Sequence, residues 1–150
     1  ADKSIDLLIK AKELSTNRVE IDYAIAQAYI LQNDIKSVEE VFESILLWKE
    51  DKSDVYFKLA LFQFQYLDAN IAVENLKKAI LFGKKLNYEQ IEKLAHNTVQ
   101  KKEWKATRDL FILGYIERPN DKNIIQNVIL ACKAMGDTVC INAWEKKLNL

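Results

Sequence analysis

Residues 55–67 read Val-Tyr-Phe-Lys-Leu-Ala-Leu-Phe-Gln-Phe-Gln-Tyr-Leu, and they are apolar almost all the way round a helix. A surface helix usually carries one apolar stripe, whereas a helix that is apolar on every side packs on several sides or offers one face to another molecule. Leu59 fits a face that points into the protein, while Phe57, Leu61 and Phe64 fall on a different face. The stretch therefore predicts a central helix with an inward face and a second face that is available for binding.

The composition is that of a globular, helical domain. Hydrophobic residues make up 49% and charged residues 29% of the 150 residues, which distinguishes the chain from a disordered one. Three glycines and one proline favour long helices over a fold with many tight turns. No run approaches the roughly 20 consecutive apolar residues that cross a bilayer, so we expect no membrane insertion by this segment. Basic and acidic residues both number 22, and this balance argues against nucleic-acid binding.

The chain repeats itself at a nearly constant interval. A large residue followed by a second, usually small one recurs every 34 or 35 residues, as Ile25-Ala26, Leu59-Ala60, Leu94-Ala95 and Val128-Ile129. A large apolar residue follows the second member of the first three pairs after 16 positions, at Phe42, Leu76 and Phe111. Two helices that meet through small residues would produce this order. We therefore predict a series of helix–turn–helix units.

These units resemble the tetratricopeptide repeat over essentially the whole chain. Four repeats would cover residues 19–52, 53–87, 88–121 and 122–150, and residues 1–18 would be the second helix of a repeat whose first helix is absent. The resemblance implies an all-α fold in a single domain, a right-handed α-α superhelix (solenoid) of about nine antiparallel helices in which each unit is stabilised by its neighbours. The unpaired first helix implies that the natural chain extends upstream or that another molecule covers its open face.

The resemblance also implies a binding surface, because the first helices of tetratricopeptide repeats line a concave groove. Transferring the family's groove positions to this chain gives nine groove residues: Tyr23, Gln27, Phe57, Leu61, Phe64, Glu92, His96, Gln126 and Leu130. The apolar members would act as anchors, and burying Phe57 or Phe64 under a partner would contribute roughly 1.5–3 kcal/mol each before ordering costs. The alternative is that these rings pack against neighbouring helices.

The sequence contains no motif typical of a catalytic site, a metal site or a redox site. The lysine and asparagine clamp with which some family members hold an acidic carboxyl-terminal tail is absent, so we expect no preference for such tails. His96 is the single histidine and lacks the further ligands that a metal needs. Cys132 and Cys140 stand eight apart, unlike zinc or redox motifs, and we expect reduced, buried thiols. Trp104 is expected in the core. We predict no catalytic residue, no metal and no cofactor.

Three functions remain open on the sequence. The first is a non-catalytic scaffold that binds a peptide or partner protein in the groove. The second is a carboxyl-terminal appendage of a multi-span membrane protein of the O-antigen ligase or polymerase type, whose tetratricopeptide tails residues 15–18 and 21–29 resemble. The third is a structural repeat that self-associates through its open first helix.

Overall fold

The computed structural model describes residues 2–15 and 18–150. Within this part of the chain every regular element is an α-helix, and no strand occurs. The helices, in chain order, are α1 (Asp2–Leu14), α2 (Val19–Leu31), α3 (Ile35–Trp48), α4 (Ser53–Tyr66), α5 (Ala69–Leu81), α6 (Tyr88–Gln100), α7 (Trp104–Glu117), α8 (Lys122–Met135) and α9 (Thr138–Leu148). The all-α fold predicted from the sequence is therefore confirmed.

The helices form consecutive antiparallel pairs, α2 with α3, α4 with α5, α6 with α7 and α8 with α9. The first helix of each pair begins at Val19, Ser53, Tyr88 or Lys122, the residues at which the repeat units were placed. Polar side chains mark several starts by accepting hydrogen bonds from the free backbone N–H groups of the first turn, namely Asp34, Asp68, Asn87, Asp121 and Asp137. The N-terminus of α6 carries a complete capping box between Asn87 and Gln90.

The turns inside three of the pairs need a left-handed residue. Asn33 after α2, Lys102 after α6 and Gly136 after α8 have φ angles of 58°, 60° and 69°. Glycine adopts this conformation without steric penalty and asparagine tolerates it, whereas a lysine in this region is unfavourable. The sequence signal for the turn is thus obscured, because only one of these three positions is a glycine.

Replacing Lys102 by glycine is expected to stabilise the protein by about 0.5–1 kcal/mol, because relief of the left-handed penalty exceeds the added entropy of the unfolded glycine. Gln32→Gly is the matched control, since Gln32 is exposed and ends α2 with a φ of −88°, and it is expected to destabilise. Chemical denaturation followed by circular dichroism measures both. A Lys102→Gly variant no more stable than the Gln32→Gly variant would contradict the assignment of strain to this turn.

Helix α4 lies between two hydrophobic clusters, which explains why its sequence is apolar all round. Val55, Leu59 and Phe62 belong to the first cluster, which α4 shares with α2 and α3. Ala60 and Phe64 belong to the second cluster, which extends through α5, α6, α7 and α8. The two clusters meet at this one helix, so the second apolar face, which was predicted to be available for binding, is in part a core face.

In two of the units, a buried polar pair joins the two helices of that unit. The Asn75 amide donates a hydrogen bond of 2.7 Å to Oε1 of Gln63, joining α5 to α4. The hydroxyls of Thr98 and Thr107 lie 2.8 Å apart between α6 and α7. Because unpaired buried polar groups are costly, these pairs favour a single register of each helix against its partner.

Helix α1 is joined to α2 by an ion pair whose carboxylate is buried. Asp22 on α2 is only 2% exposed, and Nζ of Lys12 on α1 lies 2.6 Å from its Oδ1. The Lys12 side chain remains partly exposed, so the ammonium keeps part of its hydration while neutralising the carboxylate. This ion pair fixes the position of α1 against α2.

The expectation of reduced cysteines is wrong. Cys132 on α8 and Cys140 on α9 form a disulfide, with Cα atoms 5.8 Å apart. The turn at Gly136 and Asp137 reverses the chain between these helices, and this reversal brings the two cysteines to a distance that a disulfide can span.

Candidate functional site

Three of the predicted groove residues in the first two pairs, Tyr23, Gln27 and Leu61, line one cavity. The Tyr23 cavity, of about 460 Å³, lies between α2 and α4 and is lined by Tyr23, Gln27, Lys58, Leu61, Gln65 and neighbouring side chains. Its floor is aromatic, since the ring of Phe42 lies 6.0 Å from that of Tyr23 and 6.2 Å from that of Phe62. An apolar floor with polar groups at the edge is typical of a site that binds a partner side chain.

Several charged side chains lie around Tyr23 in this cavity. Burial, followed by the negative charges of Asp54, Glu20 and other nearby carboxylates, raises the pKa of Tyr23 to about 12. A tyrosine of ordinary pKa, about 10, is already protonated at neutral pH, and this shift extends the protonated, hydrogen-bond-donating form to higher pH. The ammonium of Lys58 lies 5.0 Å from the centre of the Tyr23 ring, a cation–π distance, so a positive charge already covers one face of the ring.

Phe57 is half-buried and is covered by a lysine. Nζ of Lys84 lies 4.4 Å from the centre of the Phe57 ring and donates a hydrogen bond of 3.1 Å to Oδ1 of Asp54. Because Asp54 and Phe57 lie one turn apart on α4, Lys84 bridges both side chains. A partner that used Phe57 as an anchor would have to displace this lysine from the ring.

Phe64 departs from the sequence expectation, because its ring is only 3% exposed and lies in the second hydrophobic cluster. Its backbone carbonyl is also engaged, accepting a hydrogen bond of 2.6 Å from Nζ of Lys101. Phe64 therefore packs against neighbouring helices, which was the alternative to a role as a groove anchor. Phe64 is a core residue, whereas Leu61, three positions earlier, is 38% exposed.

A second cavity contains groove residues from the third and fourth pairs. The Trp104 cavity, of about 430 Å³, lies between α6 and α8 over α7, and its lining includes His96, Val99, Trp104, Phe111, Asn127 and Leu130. Trp104 is half-buried and lines this cavity, rather than lying wholly in the core as expected. Leu130, at the edge of the cavity, is 62% exposed.

Hydrogen bonds between residues four apart hold the polar side chains of α6 in place. Nδ1 of His96 lies 3.1 Å from the backbone carbonyl of Glu92, and because a carbonyl can only accept, the imidazole donates from this nitrogen. The Tyr88 hydroxyl donates a hydrogen bond of 3.3 Å to the Glu92 carboxylate. Burial and the adjacent Glu92 charge raise the pKa of Tyr88, which extends the protonated form of this hydroxyl too to higher pH.

A third cavity adjoins the second. The Leu148 cavity, of about 260 Å³, lies between α8 and α9 and is lined by Gln126, Ile129, Leu130, Lys133, Glu145 and Leu148. Leu130 lines both this cavity and the Trp104 cavity. The two cavities are therefore neighbours on either side of one leucine.

The structure thus brings the groove residues together in two groups. Tyr23, Gln27 and Leu61 line the Tyr23 cavity, and His96, Gln126 and Leu130 line the two cavities around α8. Phe57, Phe64 and Glu92 line none of these three cavities. Two lining residues that the repeat pattern did not indicate, Lys58 and Asn127, lie next to the predicted groove positions Phe57 and Gln126, and a third, Trp104, was expected in the core.

Comparison with known proteins identifies the fold. No family model matches the chain, and no curated protein matches it. The crystal structure of MamA, a helical-repeat protein of tetratricopeptide-like fold, is similar over 98% of this chain and 85% of the MamA chain, with a TM-score of 0.57 and 17% sequence identity. The chain is therefore a tetratricopeptide-like α-α superhelix, and at this level of identity the likeness concerns the fold alone.

The comparisons give no support to an origin in an O-antigen ligase or polymerase. Part of the sequence on which that hypothesis depended, Thr16 and Asn17, lies outside the described residues. Among the described helices, none combines the length and the hydropathy that crossing a membrane requires.

Proposed function

We propose that this chain is a non-catalytic protein-interaction scaffold that holds a peptide segment of a partner along its first helices, α2, α4, α6 and α8. The observation that carries the proposal is the placement of cavities between successive first helices, with exposed leucines at their edges. Leu61 borders the Tyr23 cavity and Leu130 borders the Trp104 cavity. Exposed apolar side chains beside concave sites favour contact with a partner.

The cavities differ in their polarity, which bears on the kind of partner. The Tyr23 cavity carries Lys58, Gln27 and Gln65 around its aromatic floor, so it would accept side chains with both apolar and polar parts. The Trp104 cavity is lined mainly by apolar groups. Each well-buried apolar side chain contributes roughly 1.5–3 kcal/mol, offset by the ordering of the peptide. Two or three such anchors contribute about 3–9 kcal/mol before that ordering cost is subtracted.

A matched pair of double variants tests the proposal. Random dodecapeptides displayed on phage would be selected on the wild-type chain, and synthetic copies of the enriched peptides titrated by fluorescence anisotropy. We expect the Leu61→Asp/Leu130→Asp variant to bind at least about tenfold more weakly, because a charge replaces an apolar contact in each cavity. The control is Leu47→Asp/Leu81→Asp, which changes leucines that are 88% and 82% exposed on the second helices α3 and α5, and it is expected to bind like wild type.

Two results would contradict the proposal. The first is the absence of any enriched peptide. The second is an equal loss of affinity in the groove variant and in the control variant, since binding would then not depend on the first helices. Melting temperatures and helical content of both variants would be compared with those of wild type, so that loss of folding is not mistaken for loss of binding.

A further inference from the structure

Exposed apolar side chains lie where the second helices end. Leu47 near the end of α3, Leu81 at the end of α5 and Ile116 near the end of α7 are all largely exposed. Each stands at the same position of its repeat unit, since the units begin at Val19, Ser53 and Tyr88. Large apolar side chains that are exposed together favour contact with another surface.

Contacts between the helix pairs join these ends into one edge of the molecule. Tyr56, in the first turn of α4, lines a cavity with Leu46 of α3 and stacks on the ring of Phe82, with 5.5 Å between the ring centres. Ile80 of α5 and Glu117 of α7 line a common cavity of about 270 Å³. The ends of α3, α5 and α7 are therefore neighbours. We call this surface the Leu81 edge and define it by the exposed residues Leu47, Ile80, Leu81, Phe82 and Ile116.

The Leu81 edge is basic around the end of α5. Residues 75–88 contain four lysines and no acidic residue. Lys78 and Lys85 are exposed, and neither forms an ion pair with a residue that the structure describes. Lys84, which pairs with Asp54, lines the 270 Å³ cavity together with Lys85, and the other lining side chains there are mainly aliphatic. Positive charges thus surround an exposed apolar patch and a small apolar cavity.

This arrangement complements a surface that is anionic outside and apolar beneath, as an anionic lipid bilayer is. Lysines interact with the lipid phosphates, while leucine and phenylalanine side chains reach the boundary between headgroups and acyl chains without any segment crossing the bilayer. A second copy of the chain that used the same edge would place its lysines against those of the first, and like charges repel. A nucleic acid would pair with the lysines but would leave the leucines exposed.

We propose that the Leu81 edge docks on an anionic lipid bilayer. The exposed apolar side chains at the ends of α3, α5 and α7 enter the headgroup region, and Lys78 and Lys85 bind lipid phosphates beside them. The linings of the Tyr23 cavity and the Trp104 cavity contain none of these residues. A chain that is docked in this way keeps its first helices accessible, so the inference does not depend on the peptide-binding function.

Vesicle flotation tests the apolar part of the contact. The wild-type chain would be mixed with phosphatidylcholine vesicles that contain no anionic lipid or about 30% phosphatidylserine, and the fraction bound measured over a range of lipid concentrations. The Leu47→Gln/Leu81→Gln variant removes two apolar side chains of the edge. The matched control is Leu31→Gln/Val139→Gln, which changes exposed residues at the end of α2 and the start of α9, on the opposite edge.

A second pair of variants tests the charges. Lys78→Gln/Lys85→Gln removes two lysines of the edge, and its matched control, Lys36→Gln/Lys105→Gln, removes two exposed lysines from the first turns of α3 and α7, also on the opposite edge. Circular dichroism of all four variants would show that each keeps its helical content. All the changed residues are exposed, so folding is expected to be preserved.

We expect the wild-type chain to bind the vesicles that contain phosphatidylserine and not the neutral ones, and added salt to weaken this binding. Each edge variant should lower the affinity at least about fivefold, and each control should stay within about twofold of wild type. The inference is overturned if the wild-type chain does not bind the anionic vesicles, or if the controls lose as much affinity as the edge variants. It is also overturned if the edge variants only abolish a dimer seen by light scattering, since the edge would then bind a second copy. The phage selection described above is a separate experiment, so the scaffold function can stand where this inference fails.

Discussion

Replacing Phe64 by alanine is expected to reduce the free energy of unfolding by about 3–5 kcal/mol, which is the usual cost of deleting a buried aromatic side chain. The ring lies in the second hydrophobic cluster together with Ala60, Ala72 and Leu76, and its removal leaves a cavity beside α4. Because α4 belongs to both clusters, the loss affects the contact between the first and the later helix pairs. Chemical denaturation followed by circular dichroism measures the change.

Leu61→Ala is the matched control for this prediction. Leu61 lies on the same helix but is 38% exposed, so its truncation is expected to cost less than about 1 kcal/mol. If Phe64→Ala were no more destabilising than Leu61→Ala, the ring would be a free groove side chain, as the sequence first suggested. In that case the assignment of Phe64 to the core would be wrong.

Replacing Lys12 by methionine is expected to destabilise the protein by about 2 kcal/mol. The substitution keeps most of the side-chain volume but leaves the buried Asp22 carboxylate without its ammonium partner. Breaking a fully buried ion pair costs about 3–5 kcal/mol, and the partial exposure of Lys12 reduces the expected figure because solvent screens the charges. The loss should appear first in α1, as faster amide hydrogen exchange in residues 2–14.

A double-mutant cycle separates the ion pair from the packing of Lys12. The Lys12→Met/Asp22→Asn variant removes both charges, and replacing both members of a buried pair is often close to neutral. We therefore expect the double variant to be more stable than Lys12→Met alone. The Asp22→Asn single variant completes the cycle, and if this substitution costs as much in the Lys12→Met background as in wild type, the contact between Lys12 and Asp22 contributes no favourable coupling.

The sequence predicted the helices well, because the repeat supplies the same information several times. Any one large-small pair is weak evidence, but the spacing of 34 or 35 residues between Ile25, Leu59, Leu94 and Val128 fixed where each first helix lies. The observed starts of α2, α4, α6 and α8 agree with those unit boundaries. Packing in a solenoid is repeated in each unit, so a periodic signal specifies it.

The faces of α4 were harder to predict. Helical periodicity distinguishes a buried face only where another face is polar, and residues 55–67 carry apolar side chains in every direction. Phe57, Leu61 and Phe64 therefore could not be separated into half-buried, exposed and buried residues from the pattern. The neighbours of α4 decide their environments, since the helices of one cluster cover Phe64 and Lys84 covers Phe57.

The sequence patterns also did not predict contacts between polar residues or between residues on different helices. Nothing in the pattern around Asp22 indicates that its partner is Lys12 on the preceding helix. Cys132 and Cys140 have no motif spacing, and only the turn between α8 and α9 brings them together. The Trp104 cavity depends on three helices at once, so its lining cannot be derived from the period of any one of them.

Amide hydrogen exchange with and without a bound peptide tests the central claim most directly, because it reports the binding surface across the whole chain. The peptide would be one enriched from the phage library on the wild-type protein. Binding along the first helices predicts slower exchange in α2, α4, α6 and α8 and little change on α3 and α5. Protection confined to α3 and α5, or to α1, would show that the partner does not bind in the groove.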